Sequence, residues 1–254
     1  MIRLALILAL FAGAAIADTP RVIASLSQNA VSITTDFSGS EIFVYGAIER
    51  ERPLNESDND LGVIITVFGP SSPVTVRKKD RVFGIWANAE SAVIDSAPSF
   101  YALASTGPLS EILTDSENSR ANVTVDNSIH IAAGPRGIEN AEAYREAIIR
   151  LKREKGVYFD MIGEVEMVGK TLFQTHVSLP ANPIEGAYAA RIFLTQNGRV
   201  IDDFQTGIRV QKVGLERWIY NLAHENSLIY GLLSILVALM AGWGASEAFR
   251  LLRR

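Results

Sequence analysis

Residues 187–213, AYAARIFLTQNGRVIDDFQTGIRVQKV, decide the fold class of this chain. Two strand-like runs, 187–195 and 200–213, flank the dipeptide Asn197-Gly198. Both residues of this dipeptide tolerate the positive φ that a two-residue hairpin turn requires. The stretch therefore predicts two strands paired antiparallel around a tight turn.

Similar runs with a period of two, bounded by turn-forming residues, recur along the chain. The predicted strands lie at 22–26, 31–35, 42–48, 62–68, 74–77, 82–87, 92–95, 122–131, 158–168 and 172–179. Many short strands at this spacing favour a mainly β fold built from Ig-like antiparallel sandwich regions. Whether the strands form one body or two stays open at this point.

Two helices interrupt the strand pattern. Residues 138–155 place apolar side chains at steps of three and four, with Gly156 suited to the position after the last turn. Pro108 can begin a short helix up to residue 113, because its missing N–H is not needed there. We therefore expect one long amphipathic helix within the second β region.

The C-terminal segment differs from the rest of the chain. Residues 227–246 contain no charged side chain, and twenty residues span roughly 30 Å as a helix, the thickness of a bilayer core. Tyr230 and Trp243 lie near its two ends, as aromatic rings do at membrane interfaces. A basic tail follows, which favours a cytoplasmic C-terminus.

The N-terminal segment fits a secretory signal peptide, with Arg3, an apolar run and small residues at Ala15 and Ala17. The alternative is an uncleaved anchor, which would be short for a bilayer. The predicted segments are a signal peptide (1–17), a first periplasmic β-sandwich region (18–105), a second β region (106–214) containing the helix, a juxtamembrane segment (215–226), a transmembrane helix (227–249) and a cytoplasmic tail (250–254).

Composition excludes several function classes. The chain has 254 residues and a net charge of −4, and residues 18–226 alone carry −7, which argues against nucleic-acid binding. Without cysteine there is no thiol catalysis and no Cys-ligated metal site, and three histidines far apart give no metal-ligating motif. Residues 163–171 resemble a phosphate-binding loop, but five residues separate the glycines instead of four. We expect no catalytic residue, no metal and no cofactor.

Two groups of residues remain as interaction candidates. A basic cluster, which Pro73 and Gly84 on either side predict to cap a hairpin, could bind a small oxyanion, although a solvated hairpin explains it more simply; it comprises Arg77, Lys78, Lys79 and Arg81. A stripe of small residues in the membrane helix would let another helix approach closely; it comprises Gly231, Ser234, Ala238, Gly242 and Ser246.

Four stretches carry a resemblance to a known family: 76–88 (VRKKDRVFGIWAN), 98–106 (PSFYALAST), 179–183 (LPANP) and the Tyr230-Gly231 entrance to the last helix. With them, the chain resembles the alphaproteobacterial putative transmembrane protein family. The resemblance implies a Gram-negative bacterium, a periplasmic body and the inner membrane. It also implies an accessory role beside a membrane partner, such as a sulfite-exporter-type permease, and it supplies no catalytic residue.

We therefore expect a non-enzymatic, membrane-tethered periplasmic module that assists an inner-membrane partner. The alternative is a small-oxyanion-binding module that uses the basic hairpin at 77–81. An enzyme with dispersed carboxylates and His130 or His176 is a third hypothesis, which no spacing in the sequence supports.

Overall fold

The computed structural model describes residues 20–34, 37–50, 61–131 and 141–252. The strands are β1 (Arg21–Leu26), β2 (Ala30–Ile33), β3 (Ser40–Glu49), β4 (Leu61–Phe68), β5 (Ser71–Val82), β6 (Ile85–Pro98), β7 (Tyr101–Ser105), β8 (His130–Ile131), β9 (Tyr158–Ile162), β10 (Glu166–Val168), β11 (Leu172–Leu179), β12 (Gly186–Gln196) and β13 (Arg199–Lys212). The helices are α1 (Leu109–Ile112), α2 (Asp115–Ala121), α3 (Val125–Ser128), α4 (Ala141–Glu154), α5 (Leu215–Glu225) and α6 (Ser227–Leu252). The predicted mainly β class with a C-terminal apolar helix is confirmed.

The hairpin predicted from residues 187–213 is present as β12 and β13, which pair antiparallel. Asn197 and Gly198 form the turn with φ of 50° and 75°. β4 pairs with the other edge of β12. The hairpin therefore lies inside a six-stranded sheet of order β2-β13-β12-β4-β7-β9.

A four-stranded sheet of order β1-β3-β11-β10 packs on one face of the six-stranded sheet. Phe173 and Val177 of β11 enter the same buried cluster as Ile192 and Leu194 of β12. Each such side chain contributes about 1.5–3 kcal/mol when fully buried. This first core therefore holds the two sheets together.

The opposite face of the six-stranded sheet is buried as well. Ile64 of β4 and Phe193 of β12 are fully buried in a second cluster. Helix α4 covers them with Tyr144 and Ile148, and Ile94 is added from β6 near the base of the β5–β6 hairpin. The six-stranded sheet is thus the middle layer of the body.

Two strand pairings are parallel, which the sequence did not predict. β2 pairs with β13, and β7 pairs with β9. Between β7 and β9 the chain runs through α1 to α4, and parallel neighbours need such a long crossover. Helix α4 belongs to this crossover and packs its apolar face on the sheet. The crossover therefore both brings β9 parallel to β7 and buries the apolar face of the amphipathic helix.

The prediction of a strand over 122–131 is wrong for most of its length. Asn122, with φ of 50°, ends α2, and the extended Thr124 precedes α3, so that only β8 is strand. Val125 and Ile129 are buried in the second core. The apolar pattern therefore does mark buried residues, but a helical turn rather than a strand buries them.

Two further boundaries differ from the prediction. The strand expected over 82–87 is wrong because the chain reverses at Phe83 and Gly84, leaving β5 and β6 as two long strands on either side. The strand expected over 158–168 is interrupted at Gly163, with φ of 80°. Helix α4 falls within the predicted 138–155, of which 138–140 lie outside the described residues.

Strands from the two predicted β regions are mixed within the sheets. β3 from the first region pairs with β11 from the second, and β4 pairs with β12 in the same way. The described parts of 18–105 and 106–214 therefore share both larger sheets and the core between them.

At the C-terminus, α5 is followed by α6. Ser227–Ser246 within α6 is long and apolar enough to cross a membrane, with a mean hydropathy of 2.0, and the body buries none of it. The predicted signal peptide at 1–17 and the tail residues 253–254 lie outside the described residues.

Candidate functional site

The turn of the β5–β6 hairpin carries a group of exposed apolar side chains. Phe83 is 103% exposed, Ile85 and Trp86 are each 71% exposed, and Val82 is 41% exposed. We call residues 82–86 the hairpin tip. Soluble proteins rarely expose several large apolar side chains side by side unless the patch meets a partner or a membrane.

The backbone conformation at Phe83 is unfavourable for a phenylalanine. Its φ is 49°, and that of Gly84 is 86°. Glycine and asparagine fill such turn positions without strain, whereas the left-handed region costs other L-residues about 1–2 kcal/mol. A turn that needed only to reverse the chain would not require phenylalanine, so this side chain points to a role outside the hairpin.

The four predicted cations do not cap the hairpin as expected, because the chain reverses at Phe83 and Gly84. They lie on β5 next to the tip, and the structure separates them onto two faces. Side chains two apart along a strand share a face. The register shifts between Lys78 and Lys79, but the extra residue, Ala89, lies on β6, so β5 keeps its alternation. Arg77, Lys79 and Arg81 therefore share the outer face, where Arg81 lies opposite Trp86 on β6. These three cations form a row that ends beside the exposed tryptophan.

Lys78 points to the opposite face, which is also the face of the buried Val76. Its Nζ lies 3.5 Å from Oε2 of Glu90, the residue opposite it on β6. The hydroxyl of Tyr144 on α4 donates to the same carboxylate oxygen at 3.2 Å. Lys78 is thus part of the contact between the hairpin and the body, apart from the outer row.

Among the residues that the structure describes, neither edge of the outer hairpin has a neighbouring strand near the tip. β5 is an edge strand of the three-stranded sheet β5-β6-β8, and β8 pairs with β6 only through Ile94 and Ser96. In the described part of the chain, the backbone N–H and C=O groups that point outward near the tip thus have no neighbouring strand. Charged side chains protect such edges from uncontrolled pairing. That explains the presence of cations on β5 but leaves the apolar tip unexplained.

Sequence reasoning identified the cations but missed the apolar tip. It assigned residues 82–87 to a strand, where half of the apolar side chains would face the core. The available signal was Gly84 with apolar residues on both sides of it, at Val82, Phe83, Ile85 and Trp86. A hairpin turn inside an apolar run exposes that run.

The small residues of α6 face no other described element. A Cβ added at Gly231 or Gly242 would meet no atom within 4 Å. Ser234 donates its hydroxyl to the carbonyl of Tyr230 at 2.8 Å, as serines in apolar helices do. Helix packing through this stripe therefore stays a prediction, and the fold leaves the stripe accessible.

Aromatic side chains are exposed in and around the two C-terminal helices. Trp218 is 54% and Tyr220 is 62% exposed on α5, and Trp243 is 72% exposed near the end of the candidate span. The ring of Tyr220 stacks on that of His224 with centroids 4.0 Å apart. Amphipathic rings of this kind suit the headgroup level of a membrane.

The histidines are not assembled into a metal centre. In the ranges that the structure describes, no three His, Asp or Glu side chains lie close enough to hold a metal ion. His176 is exposed on β11, and its ring centroid lies 4.6 Å from that of Phe43. His130 is exposed at the start of β8.

Comparisons with known proteins give one family match and one weak structural similarity. A family model described as "Putative transmembrane protein (Alph_Pro_TM)" matches residues 21–251. No curated protein matches the chain. A solved structure titled "Crystal structure of BslA - A bacterial hydrophobin" is similar at 10% identity over 77% of this chain and 97% of that chain, with a TM-score of 0.22. This TM-score is too low to carry an argument, whereas the family match extends from the first strand into the last helix.

Proposed function

The chain belongs to the Alph_Pro_TM family of putative transmembrane proteins, and from that premise we propose that it is a membrane-tethered, non-enzymatic accessory module. Its mainly β body lies in the periplasm, α6 crosses the inner membrane, and the C-terminus is cytoplasmic. The β5–β6 hairpin binds a protein partner of the same membrane. The observation that carries this function is the exposed apolar tip beside three cations on one face.

The composition of the outer hairpin suits a protein interface. Tryptophan and arginine are enriched among the residues that dominate binding energy at interfaces. Trp86 and Arg81 lie opposite each other, and Phe83 extends beyond them. Contacts between Phe83 and a partner would offset the backbone strain at this turn, which accounts for a phenylalanine at a position that glycine or asparagine would fill without strain.

The open strand edges favour a protein over lipid as the occupant. Hydrocarbon offers no partner to a backbone N–H or C=O, so open sheet edges do not occur in the bilayer core. Within the described ranges, the outer parts of β5 and β6 have no neighbouring strand on either side of the tip. A protein can satisfy these groups, for example by adding a strand.

The charge distribution indicates an acidic surface on the partner. Residues 18–226 carry a net charge of −7, yet Arg77, Lys79 and Arg81 line one face of the hairpin. A row of like charges attracts a complementary surface and sets the orientation of the encounter. The acidic remainder of the body disfavours docking elsewhere on the same partner surface.

Binding of a small oxyanion by Arg77, Lys78, Lys79 and Arg81 stays the alternative prediction. Three of these cations are spread along one exposed strand, and Lys78 faces Glu90 on the other side. Neighbours on one face of a strand are roughly 7 Å apart. That spacing suits an extended acidic surface better than a single tetrahedral ion. A permease of the sulfite-exporter type stays a prediction for the identity of the partner.

Site-specific photo-crosslinking in intact cells tests the proposal. A benzophenone amino acid replaces Phe83 or Trp86, and replaces Ile23 as the control, because Ile23 is 54% exposed on β1 away from the hairpin. We expect both hairpin positions to yield an adduct with the same integral membrane protein, and Ile23 to yield none. Reversing the charge of Arg77, Lys79 and Arg81 together should abolish that adduct.

Three outcomes would overturn the proposal: adducts with lipid alone, an equal adduct from Ile23, or an adduct that survives charge reversal. The topology is tested separately by reporter fusions. A reporter active only outside the cytoplasm should be active when fused after Val213 and inactive when fused after Arg254. The reverse pattern would contradict a periplasmic body.

A further inference from the structure

A second feature is a pocket at the edge of the second core, near the base of the β5–β6 hairpin, lined by both polar and apolar groups. It encloses about 210 Å³ and lies where β12, β4 and β6 meet the segment from α2 to β8. Arg191 lies opposite Thr66 across β12 and β4, and His130 lies opposite Ser96 across β8 and β6. These two cross-strand pairs both line the pocket, together with Asn122 at the end of α2.

The guanidinium of Arg191 is held in place by two contacts. Its Nη1 donates to the carbonyl of Ala121 at 3.2 Å. Its Cζ lies 4.6 Å from the ring centroid of Phe193, which is itself fully buried. A guanidinium fixed in this way loses little conformational freedom when it binds a ligand.

One donor of this group remains unsatisfied. The Nε of Arg191 is buried and has no hydrogen-bond partner in the described part of the chain. Within the same ranges Arg191 forms no ion pair, and no Asp or Glu lines the pocket. A buried donor without an acceptor is costly, and a charged donor more so. Among the described residues, the pocket therefore has N–H donors and a positive charge but no carboxylate beside them.

We propose that this pocket binds a small oxygen-bearing anion, either a carboxylate or a tetrahedral oxyanion. Arg191 supplies the charge and those N–H donors of its terminal Nη1 and Nη2 that the carbonyl of Ala121 does not use, since its Nε is buried. His130, Ser96 and Asn122 surround the remaining space with further polar groups. The site is separate from the hairpin cations, and it stands whether or not the hairpin binds a protein.

Calorimetry on the full-length protein in detergent tests this site. Acetate, sulfate and phosphate are titrated at constant ionic strength, with chloride as the reference anion, so that general screening is matched. We expect at least one of the three to bind with a measurable Kd and to raise the Tm. A response to acetate alone identifies a carboxylate site, and a response to sulfate or phosphate identifies an oxyanion site.

Variants assign the binding to the pocket. Arg191→Gln should weaken binding at least tenfold, and Arg191→Lys, which keeps the charge but loses the fork, should weaken it less. His130→Ala should weaken it a few-fold without a change in Tm, because His130 is exposed. The triple variant Arg77→Gln, Lys79→Gln, Arg81→Gln is the control and should bind as the wild type does.

Several results would overturn the inference. One is the absence of heat and of a Tm shift with all three anions at millimolar concentration. Another is an unchanged Kd in Arg191→Gln, which would leave Arg191 with only the structural contact to Ala121. A third is loss of binding in the hairpin triple variant, which would move the site to the hairpin. If Arg191→Gln does not fold, the His130→Ala titration decides, because an unchanged Kd there contradicts the assignment.

Discussion

Tyr101 and Tyr158 lie opposite each other across the parallel strands β7 and β9, with ring centroids 6.2 Å apart and an edge-to-face angle of 67°. Each hydroxyl donates to a buried carbonyl at 2.5 Å, that of Tyr101 to Val123 and that of Tyr158 to Pro98. The pair therefore connects the middle sheet to the α2–α3 segment on one side and to the end of β6 on the other.

This pair predicts sensitivity to alkaline pH. Burial raises the pKa of Tyr101 to about 12 and raises the pKa of Tyr158 above its ordinary value. In the unfolded chain both hydroxyls ionise near pH 10. The stabilisation is therefore complete below pH 10 and is lost as the pH rises towards the folded pKa, by about 2 kcal/mol for Tyr101 alone.

Denaturant unfolding at a series of pH values from neutral to 12 measures this loss, and phenolate absorbance reports ionisation. We expect Tyr158→Phe to flatten the decline above pH 10 while lowering stability at neutral pH, because its hydrogen bond to Pro98 is lost. Ionisation of every tyrosine near pH 10 in a protein that is still folded would contradict the prediction.

A second prediction concerns the position of the six-stranded sheet between two cores. Ile64 and Ile65 are neighbours on β4, point in opposite directions and are both fully buried, the first in the second core and the second in the first. Ile64→Ala and Ile65→Ala should each lower the free energy of unfolding by about 2–5 kcal/mol. If one face of this sheet were solvated, the substitution on that face would leave the free energy of unfolding nearly unchanged.

Val22 and Ile23 on β1 are the matched control pair for this measurement. Val22 is 5% exposed and Ile23 is 54% exposed. Denaturant unfolding should therefore show a clear loss for Val22→Ala and a change within about 0.5 kcal/mol for Ile23→Ala. A small effect at either Ile64 or Ile65 would contradict the three-layer arrangement.

The sequence predicted individual strands better than it predicted their assembly. Asn197 and Gly198 determine a turn locally, so the central hairpin could be found without any tertiary information. Alternation along β11 likewise reveals one buried face. In β4, however, the run GVIITV, apolar except for Thr66, is compatible with any fully buried strand, and it does not say which layers cover it. The second core and the parallel pairing of β7 with β9 depend on contacts between distant segments.

The candidate site was likewise predictable only where its signal is local in the sequence. The cations at 77–81 are visible as a charge cluster, but their division into an outer row and Lys78 depends on which face Val76 buries. Arg191 gave no signal because a single arginine in a strand is ordinary in sequence. Only the burial of its Nε distinguishes it from an exposed arginine.

A third prediction separates the fold of the hairpin from its function. Phe83→Asn creates an Asn-Gly turn, which suits positive φ at both positions. We expect Tm to stay the same or rise slightly, because the backbone strain at Phe83 is relieved. The adduct formed from a benzophenone at Trp86 should nevertheless become weaker, because an apolar contact has been removed. An undiminished adduct would show that Phe83 does not take part in binding.

A fourth prediction distinguishes the cations. Lys78→Gln removes an exposed ion pair with Glu90, and such pairs are worth little, so Tm and the adduct at Trp86 should both stay unchanged. Arg81→Gln, on the same strand but the other face, should reduce the adduct without lowering Tm. Equal effects of the two variants on crosslinking would mean that the division into two faces does not matter for the partner.

The last prediction concerns the membrane helix. Gly242 contacts nothing in the described part of the chain at the position of an added Cβ, so Ala238→Leu combined with Gly242→Leu should leave the body folded. If a partner helix packs against the small residues, the two leucines block its approach. The membrane protein that forms the adduct at position 83 should then co-purify in a smaller amount. Leu239→Ala, a change elsewhere on the same helix, is the control and should have no effect. Unchanged co-purification in the double leucine variant would leave the hairpin as the binding element and exclude the stripe.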